Sequence, residues 1–324
     1  MRMLLGLLAG AALLSQVAPS KAAERPFAFA PYAFMNGGSD VAGWSKATGG
    51  RYVTLAFYNA ANGNCAGAWP EGTAEASVLA AARALQAQGG GVIVSTGGWN
   101  ADDLVSRCPD AKSLADVYDG VLQRFRTDYL DLDAEPGDIH NNLTHELVDR
   151  RSAAMRVLQD RFAARGRRLH VSFTLAVRPA VGMDPDNLYV LQSAKAAGVT
   201  IDMVNPMIMD YHDGASQGRM GARSIQALEL AQAQLKALLP GRSDRDYWGM
   251  MSATPMLGQN DVAEEVFTLD DARLVARFAV EKGMGRLSFW SLARDNGSCP
   301  GEKAKNSCSG LDQPQWAFSR IFMR

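Results

Sequence analysis

Residues that build metal and redox centres are scarce in this sequence of 324 residues, which contains only four histidines and four cysteines. The histidines form no H-E-x-x-H pair, and the cysteine spacing matches no common zinc pattern. Neither a P-loop nor the G-x-G-x-x-G nucleotide fingerprint occurs in the chain. We therefore expect neither a metal centre nor an organic cofactor.

Long apolar runs are also missing, apart from a short one at the start of the chain. A basic residue precedes the apolar run from Leu4 to Leu14, and small residues follow it. This run is too short to span a bilayer, and the pattern is typical of a secretory signal peptide. We expect residues 1–23 to be removed by cleavage after Ala22 or Ala23. The mature chain, residues 24–324, is then secreted, either outside the cell or into the periplasm.

The sequence has no strong excess of charge. Its formal net charge is −1, and it becomes −3 when Arg2 and Lys21 are removed with the signal peptide. Such a chain lacks the basic surface expected of a protein that binds nucleic acid or an anionic membrane. Apolar residues make up 47% of the sequence, which is enough for a large core. We expect a monomer after export.

The four cysteines form an even set, which favours disulfide bonds in an exported chain. Sequence alone allows three pairings. Cys299 and Cys308 would close a short loop, and we favour this pairing, which leaves Cys65 with Cys108.

Apolar strand-like segments alternate with helical segments along the mature chain. Eight units of strand then helix predict a parallel (β/α)8 TIM barrel in a single domain. No linker or short repeat marks an appended module. The predicted strands are Phe27 to Phe34, Tyr52 to Phe57, Val92 to Ser95, Asp128 to Glu135, His170 to Leu175, Val204 to Tyr211, Trp248 to Met256 and Arg286 to Trp290. A Gly/Asn-rich loop is predicted from Asn59 to Gly72.

One predicted strand carries three acids in phase. Because side chains alternate along a strand, Asp131, Asp133 and Glu135 lie on the same face, about 7 Å apart. Three ionised carboxylates so close together would repel one another, and partial burial would add to that cost. The arrangement favours a site in which one carboxyl stays protonated near neutral pH. The alternative is a solvated acidic strand end, but the acids lie among tyrosine and leucine.

The four acids of this strand, Asp128, Asp131, Asp133 and Glu135, form the pattern D-x-x-D-x-D-x-E. This pattern resembles the catalytic signature of glycoside hydrolase family 18, the chitinases and their relatives. The segments Thr254 to Asp261 and Ser291 to Asp295 resemble its bacterial, actinobacterial-type branch. The resemblance covers roughly residues 27 to 320. In TIM barrels the chemistry lies at the C-terminal ends of the strands, where Glu135 is expected.

Other motifs of the family are present with one departure. Ser95, Gly97 and Gly98 resemble its S-x-G-G motif, which supports the acidic strand, as Asp128 also does. Met207 and Asp210 match positions of its M-x-Y-D motif, but Met209 takes the place of the tyrosine. The resemblance assigns that tyrosine to the substrate's acetamido group, and Tyr211 or Tyr32 could replace it. The expected substrate-binding residues are Trp290, Asp210, Tyr211, Met207, Tyr32 and Trp99.

The resemblance implies hydrolysis of chitin or chitooligosaccharides. Glu135 would be the general acid, and the substrate's own acetamido oxygen would attack in place of an enzyme carboxylate. Asp133 would orient that group and share a proton with Asp131. Two alternatives remain: an endo-β-N-acetylglucosaminidase acting on other N-acetylated glycans, and a non-catalytic chitin-binding lectin.

The length of the last connection predicts the shape of the substrate site. About thirty residues separate Met256 from the eighth predicted strand. That is too few for the additional α+β domain that forms a deep cleft in some family members. We expect an open groove and endo-type cleavage.

Overall fold

The computed structural model describes residues 27–36, 38–136, 143–303 and 305–323. The predicted signal peptide, residues 1–23, lies outside this part of the chain. Across the described residues, no helix is both long and apolar enough to cross a membrane.

A closed parallel barrel forms the centre of the molecule. Six strands lie in the order β1–β2–β5–β6–β7–β8. Residues 251–256 then pair with β8, and residues 287–290 pair with Met256 on one side and Phe29 on the other. These two segments complete a ring of eight strands, which confirms the predicted TIM barrel. The six strands are β1 Tyr32–Phe34, β2 Tyr52–Ala56, β5 Gly91–Gly97, β6 Tyr129–Asp133, β7 His170–Ala176 and β8 Met203–Met207.

Helices surround the barrel and follow its strands. They are α1 Val41–Thr48, α2 Glu75–Ala87, α3 Leu104–Arg107, α4 Ala111–Phe125, α5 His145–Ala164, α6 Pro185–Ala196, α7 Met220–Leu238, α8 Asp244–Gly249, α9 Leu269–Lys282 and α10 Ala317–Phe322. The helix α4 illustrates why these segments are helical. The Asp110 side chain caps its N-terminus by accepting from the Ser113 N–H at 2.7 Å. Its apolar side chains, among them Leu114 and Leu122, are buried against the sheet.

Two short hairpins are added to the barrel. The first joins β3 Asn59–Ala61 to β4 Asn64–Ala68, within a region predicted to be a loop. The second joins β9 Gly258–Gln259 to β10 Val266–Phe267. Only this second hairpin and α9 lie between residues 256 and 286. No α+β domain is inserted there.

Several predicted strand boundaries were wrong, since β6 ends at Asp133 rather than Glu135 and β8 ends at Met207 rather than Tyr211. Trp248 was placed at the start of the seventh strand, but it lies in α8. A capping box begins that helix, because Ser243 and Asp246 satisfy each other's backbone N–H groups. The strand-like pairing starts only at Met251.

Both predicted disulfides are present. Cys65 in β4 is bonded to Cys108, directly after α3. Cys299 is bonded to Cys308 in the segment that precedes α10. The first ties the hairpin of β3 and β4 to the connection that follows β5.

Candidate active site

Strand β6 directs its acids into the barrel, as its alternating sequence predicts. Asp131 is 1% exposed and Asp133 is 5% exposed, while Glu135 lies just beyond the strand and is half-buried. Leu130 and Leu132 are buried on the opposite face of the strand. The two inner carboxyls are therefore removed from bulk water, and Glu135 lies at the mouth of the barrel.

Four hydroxyl groups from three other strands of the barrel surround Asp131, and we call them the hydroxyl cage. Tyr32 of β1 and Ser95 of β5 donate to Asp131 Oδ2 at 2.8 and 2.7 Å. Ser172 and Thr174 of β7 donate to Oδ1 at 2.5 and 2.9 Å. An ionised carboxylate offers about four acceptor positions. The cage therefore fills the acceptor capacity of Asp131 with donors.

An asparagine fixes the direction of two of these hydrogen bonds. Asn205 of β8 donates through Nδ2 to the hydroxyl oxygens of Tyr32 and Thr174, at 3.1 and 2.9 Å. Its own Oδ1 accepts from the Thr254 hydroxyl at 2.8 Å. Because Tyr32 and Thr174 each accept from Asn205, their single protons remain available for Asp131.

Asp133 lies in a contrasting environment. Its Oδ1 is buried and has no hydrogen-bond partner among the residues that the structure describes. Burial raises the pKa of Asp133 well above its usual value, and the negative charges of Glu135 and Asp131 raise it further, while the Arg151 charge opposes them. The surroundings of Asp133 therefore favour its protonated form.

Arg151 belongs to a buried ion pair behind the acidic strand. Its guanidinium, on α5, contacts Asp103, and both side chains are almost fully buried. The other oxygen of Asp103 accepts from the Val105 N–H at 3.0 Å, so this carboxylate also caps α3. The pair brings one positive and one negative charge close to Asp133.

Two glycines allow the neighbouring strand to approach β6. Gly97 has φ +93°, and a Cβ there would lie 2.0 Å from the Asp133 carbonyl oxygen. The Gly98 N–H donates to that same oxygen at 3.0 Å. Any side chain at Gly97 would separate β5 from β6 at the level of the acids.

Aromatic side chains form the wall next to the acids. The Trp290 ring stacks on Phe57 at 5.7 Å and 13°, and it contacts Phe34 and Tyr32 at centroid distances of 5.5 and 6.2 Å. Trp290 remains half-buried. Trp99 follows the two glycines and is 59% exposed. Indole faces of this kind bind the C–H-rich faces of sugars.

Known proteins resemble this chain along most of its length. No protein-family model matches it. The chain is 32% identical over 322 residues to a probable bifunctional chitinase/lysozyme of Escherichia coli, with 95% of this chain and 35% of that protein covered. It is 32% identical over 289 residues to Endochitinase 11 of Metarhizium anisopliae, with 86% and 55% covered. The chain thus spans between one third and a little over half of these relatives.

A solved structure matches the chain over nearly the full length of both. It is the catalytic domain of a hyperthermophilic chitinase from Pyrococcus furiosus, with a TM-score of 0.82, 31% identity, 93% of this chain covered and 95% of that chain covered. The chain belongs to the family 18 chitinases. The predicted resemblance to this family is confirmed by these relatives.

In this family 18 chain, the predicted substrate-binding residues at and beyond the end of β8 do not all reach the acids. Met207 is half-buried on the interior face, beside Thr254 of the next segment. Tyr211 is buried elsewhere: its hydroxyl lies 3.1 Å from Ser224 in α7, and its N–H donates to Glu265. Tyr211 therefore does not take the place of the tyrosine that Met209 replaces in the family motif.

Asp210 occupies a bend after β8 and has φ +47°. Its Oδ1 accepts from the Val262 N–H at 3.1 Å, and its own N–H donates to Asn260 at 3.3 Å. Burial raises the pKa of Asp210 to about 6, and the charges of Asp261 and Glu265 add to this effect. It is therefore partly protonated in weakly acidic solution.

Tyr32 and Asp128 lie at different heights in the barrel. Tyr32 is part of the hydroxyl cage, so its hydroxyl is already engaged by Asp131. Asp128 lies at the opposite end of β6, where its side chain pairs with Arg167 and its carbonyl accepts from the His170 N–H. Asp128 thus supports the start of the strand and makes no contact with the other acids.

Several residues of the site were missed by sequence reasoning. Thr174, Ser172 and Asn205 were hidden within strands predicted as apolar, and Phe57 within another. Their signal was the period of two: Ser172 and Thr174 alternate with Phe173 on β7. A polar residue at every second position of a buried strand indicates a polar barrel interior.

Proposed function

We propose that this chain is a chitinase that hydrolyses β-1,4-linked N-acetylglucosamine polymers and oligomers, with Glu135 as the general acid. The observation that supports it most strongly is the difference between the two inner carboxyls. Asp131 has its acceptor positions filled by hydroxyls, and burial and nearby negative charge raise the pKa of Asp133, which favours its protonated form. Neither is suited to attack a sugar carbon, so the nucleophile comes from the substrate.

The reaction follows from this assignment. Glu135 donates its proton to the glycosidic oxygen as the bond from that oxygen to C1 breaks. The acetamido carbonyl oxygen of the same sugar forms a new bond to C1, which gives an oxazolinium ring. The unpartnered Asp133 Oδ1 accepts a hydrogen bond from the acetamido N–H, which holds the acetamido carbonyl oxygen in position to attack C1. Water, deprotonated by Glu135, then opens the ring with retention at C1.

The proposal extends to an open groove and endo-type cleavage. Its support is the short hairpin and single helix between residues 256 and 286, together with the exposed Trp99 at the mouth. One of the relatives is named an endochitinase. We also propose that the chain is exported, because its first residues have the pattern of a signal peptide, and that it acts as a monomer.

A comparison of substrates tests this function. The purified chain is incubated with N-acetylated chitooligosaccharides, with the same oligomers after N-deacetylation, and with an N-glycoprotein. We expect cleavage of the acetylated oligomers alone, with the β-anomer seen first by ¹H NMR. Cleavage of the deacetylated oligomers, or an α-anomer as the first product, would contradict the mechanism. Cleavage of the glycoprotein alone would mean that the substrate is an N-glycan rather than chitin. Binding of the oligomers without cleavage would indicate a lectin.

A further inference from the structure

A cavity lies at the N-terminal end of the barrel strands, and we call it the floor cavity. Its volume is about 180 Å³, which is room for several water-sized groups. The first residues of three strands line it, namely Tyr129 of β6, His170 of β7 and Met203 of β8. Asp133 and Glu135 lie at and beyond the opposite end of β6. The proposed reaction therefore does not use this space.

Arg286 brings a positive charge to the wall of the floor cavity. The residue is only 8% exposed. Its Nε atom donates to the Phe27 carbonyl oxygen at 3.3 Å, but neither Nη atom donates to a residue that the structure describes, and no described carboxylate forms an ion pair with it. Two nitrogens of a guanidinium that is more than nine-tenths buried are thus unpartnered in the described part of the chain. A buried charge in this state is costly.

The nearby carboxylates are already engaged by other groups. On the cavity wall, Asp202 Oδ1 pairs with Arg168 and lies 3.3 Å from His170 Nδ1, while its Oδ2 accepts from a backbone N–H at 2.9 Å. Further up the barrel, the acceptor positions of Asp131 are filled by the hydroxyl cage. Burial lowers the pKa of Arg286, although the charges of both acids oppose this effect. The described residues therefore compensate the guanidinium only in part.

The rest of the wall combines one more donor with apolar surface. The Tyr129 hydroxyl donates to no described residue, and it keeps its proton because burial raises its pKa. The Tyr129 ring lies 4.1 Å from the ring of Phe27, whose carbonyl holds Arg286, and it stacks on His170 at 4.5 Å and 9°. The donors thus belong to one contiguous wall. The apolar lining consists of Phe27, Ile93, Leu130, Val171 and Met203.

We propose that the floor cavity is a binding site for a small monocarboxylate anion, held by the two Nη groups of Arg286 and by the Tyr129 hydroxyl. The planar guanidinium matches the two oxygens of a carboxylate. The apolar lining suits a short hydrocarbon group, and the negative charge of Asp202 disfavours a dianion such as phosphate. The bound anion neutralises the buried guanidinium and stabilises the folded barrel. The site is separate from the proposed catalysis and does not depend on it.

Thermal unfolding in the presence of acetate tests the proposal. Calorimetry follows the whole mature chain at pH 7 and constant ionic strength, while chloride is replaced stepwise by acetate. A concentration of about ten times the Kd should raise Tm by about 3–5 °C, because the ligand binds only the folded state. A Tm that acetate leaves unchanged would overturn the proposal. An equal rise with inorganic phosphate would contradict the assignment to a monocarboxylate.

Substitutions locate the bound acetate. Arg286→Gln removes the guanidinium, so the acetate-dependent rise in Tm should disappear. Arg126→Gln is the matched control, because this arginine is exposed at the same end of the barrel, between α4 and β6, and does not line the cavity. The control should retain the full rise, and its loss there would mean that acetate responds only to total charge, contrary to the proposal. If Arg286→Gln does not fold, Tyr129→Phe serves instead. Loss of one donor should then weaken acetate binding roughly 3- to 10-fold, and unaltered binding would place the acetate elsewhere.

An activity measurement distinguishes the floor cavity from the catalytic acids. The acetate concentration that raises Tm should leave kcat and KM for a chromogenic N,N′-diacetylchitobioside unchanged, because the two sites lie at opposite ends of the strands. Competitive inhibition with the same Kd would place the acetate at the acids and overturn the proposal. If the chain cleaves no glycan, the rise in Tm and its loss in Arg286→Gln are still measurable, so failure of the proposed function is distinguishable from failure of this site.

Discussion

Two levels of the same barrel strands differ in how completely their polar groups are partnered. At the inner level, Asp131 receives donors from β1, β5 and β7, and Asn205 directs two of them. Nearer the rim, the buried Asp133 Oδ1 has no hydrogen-bond partner among the described residues, and the Trp290 ring is half-buried. The inner level is built as a core, and the rim is built to receive a ligand. The residues proposed to bind and cleave the substrate therefore lie where a polar atom or a ring face lacks a partner within the described part of the protein.

The largest effect is expected at the rim, where activity and stability should separate. Glu135→Gln keeps the shape of the side chain but removes the proton donor, so kcat should fall by about 10²–10⁴. Thermal unfolding should change little, because Glu135 is only half-buried. Both are measured on one preparation with the chromogenic chitobioside and by calorimetry. An unchanged kcat would mean that another group donates the proton to the glycosidic oxygen.

A second substitution at the rim concerns the aromatic wall. Trp290→Ala removes the ring that stacks on Phe57, and kcat/KM should fall by roughly 10- to 100-fold, as expected when the burial of a large apolar side chain against the substrate, worth about 1.5–3 kcal/mol, is lost. Trp99→Ala is the matched variant, since its ring is exposed and has no described aromatic neighbour. Its effect should be smaller on the chitobioside than on long oligomers. If the two substitutions had equal effects on the chitobioside and equal effects on long oligomers, the two rings would lie in the same subsite.

At the inner level, stability should respond strongly. Asp131→Asn places an NH₂ group where two hydroxyls donate, and Asn205 limits the freedom of one of the two to reverse. The free energy of unfolding should fall by about 1–3 kcal/mol, the cost of an unsatisfied buried polar group. Urea unfolding at pH 7 measures this. A variant as stable as the wild type would show that the hydroxyl cage adapts to either partner.

A pH-dependent effect sharpens the contrast between the two acids. Because the pKa of Asp133 is raised in the folded state, its stabilising contribution is complete below the unfolded value near 4 and is lost as pH rises towards the folded value. Asp133→Asn should therefore become more stable than the wild type above pH 4, by about 1.4 kcal/mol for each pH unit at first.

The control for this measurement is Asp128→Asn on the same strand. Its carboxylate is partly exposed and paired with Arg167, so its loss should cost less than about 1 kcal/mol. A wild type and an Asp133→Asn variant with parallel pH curves would mean that Asp133 is ionised in the folded protein.

The strength of sequence reasoning here depended on how local each signal was. The period of two on β6, the glycines at the end of β5 and the short Cys299–Cys308 loop are local patterns, and the structure shows all three. Tyr211 was misplaced as an acetamido ligand because a bend after β8 turns it towards α7. The hydroxyl cage was missed because Tyr32 and Asp131 are 99 residues apart and meet only when the barrel closes.

The central claim is that neither inner carboxyl is the nucleophile and that the substrate's acetamido oxygen is. It is tested most directly with a series of chromogenic chitobiosides whose acetamido groups carry successively more fluorine. Fluorine withdraws electrons from the carbonyl oxygen, so the account predicts a rate that falls steeply along the series. A rate that is independent of fluorine content would contradict it and would return the role of nucleophile to Asp133 or Asp131.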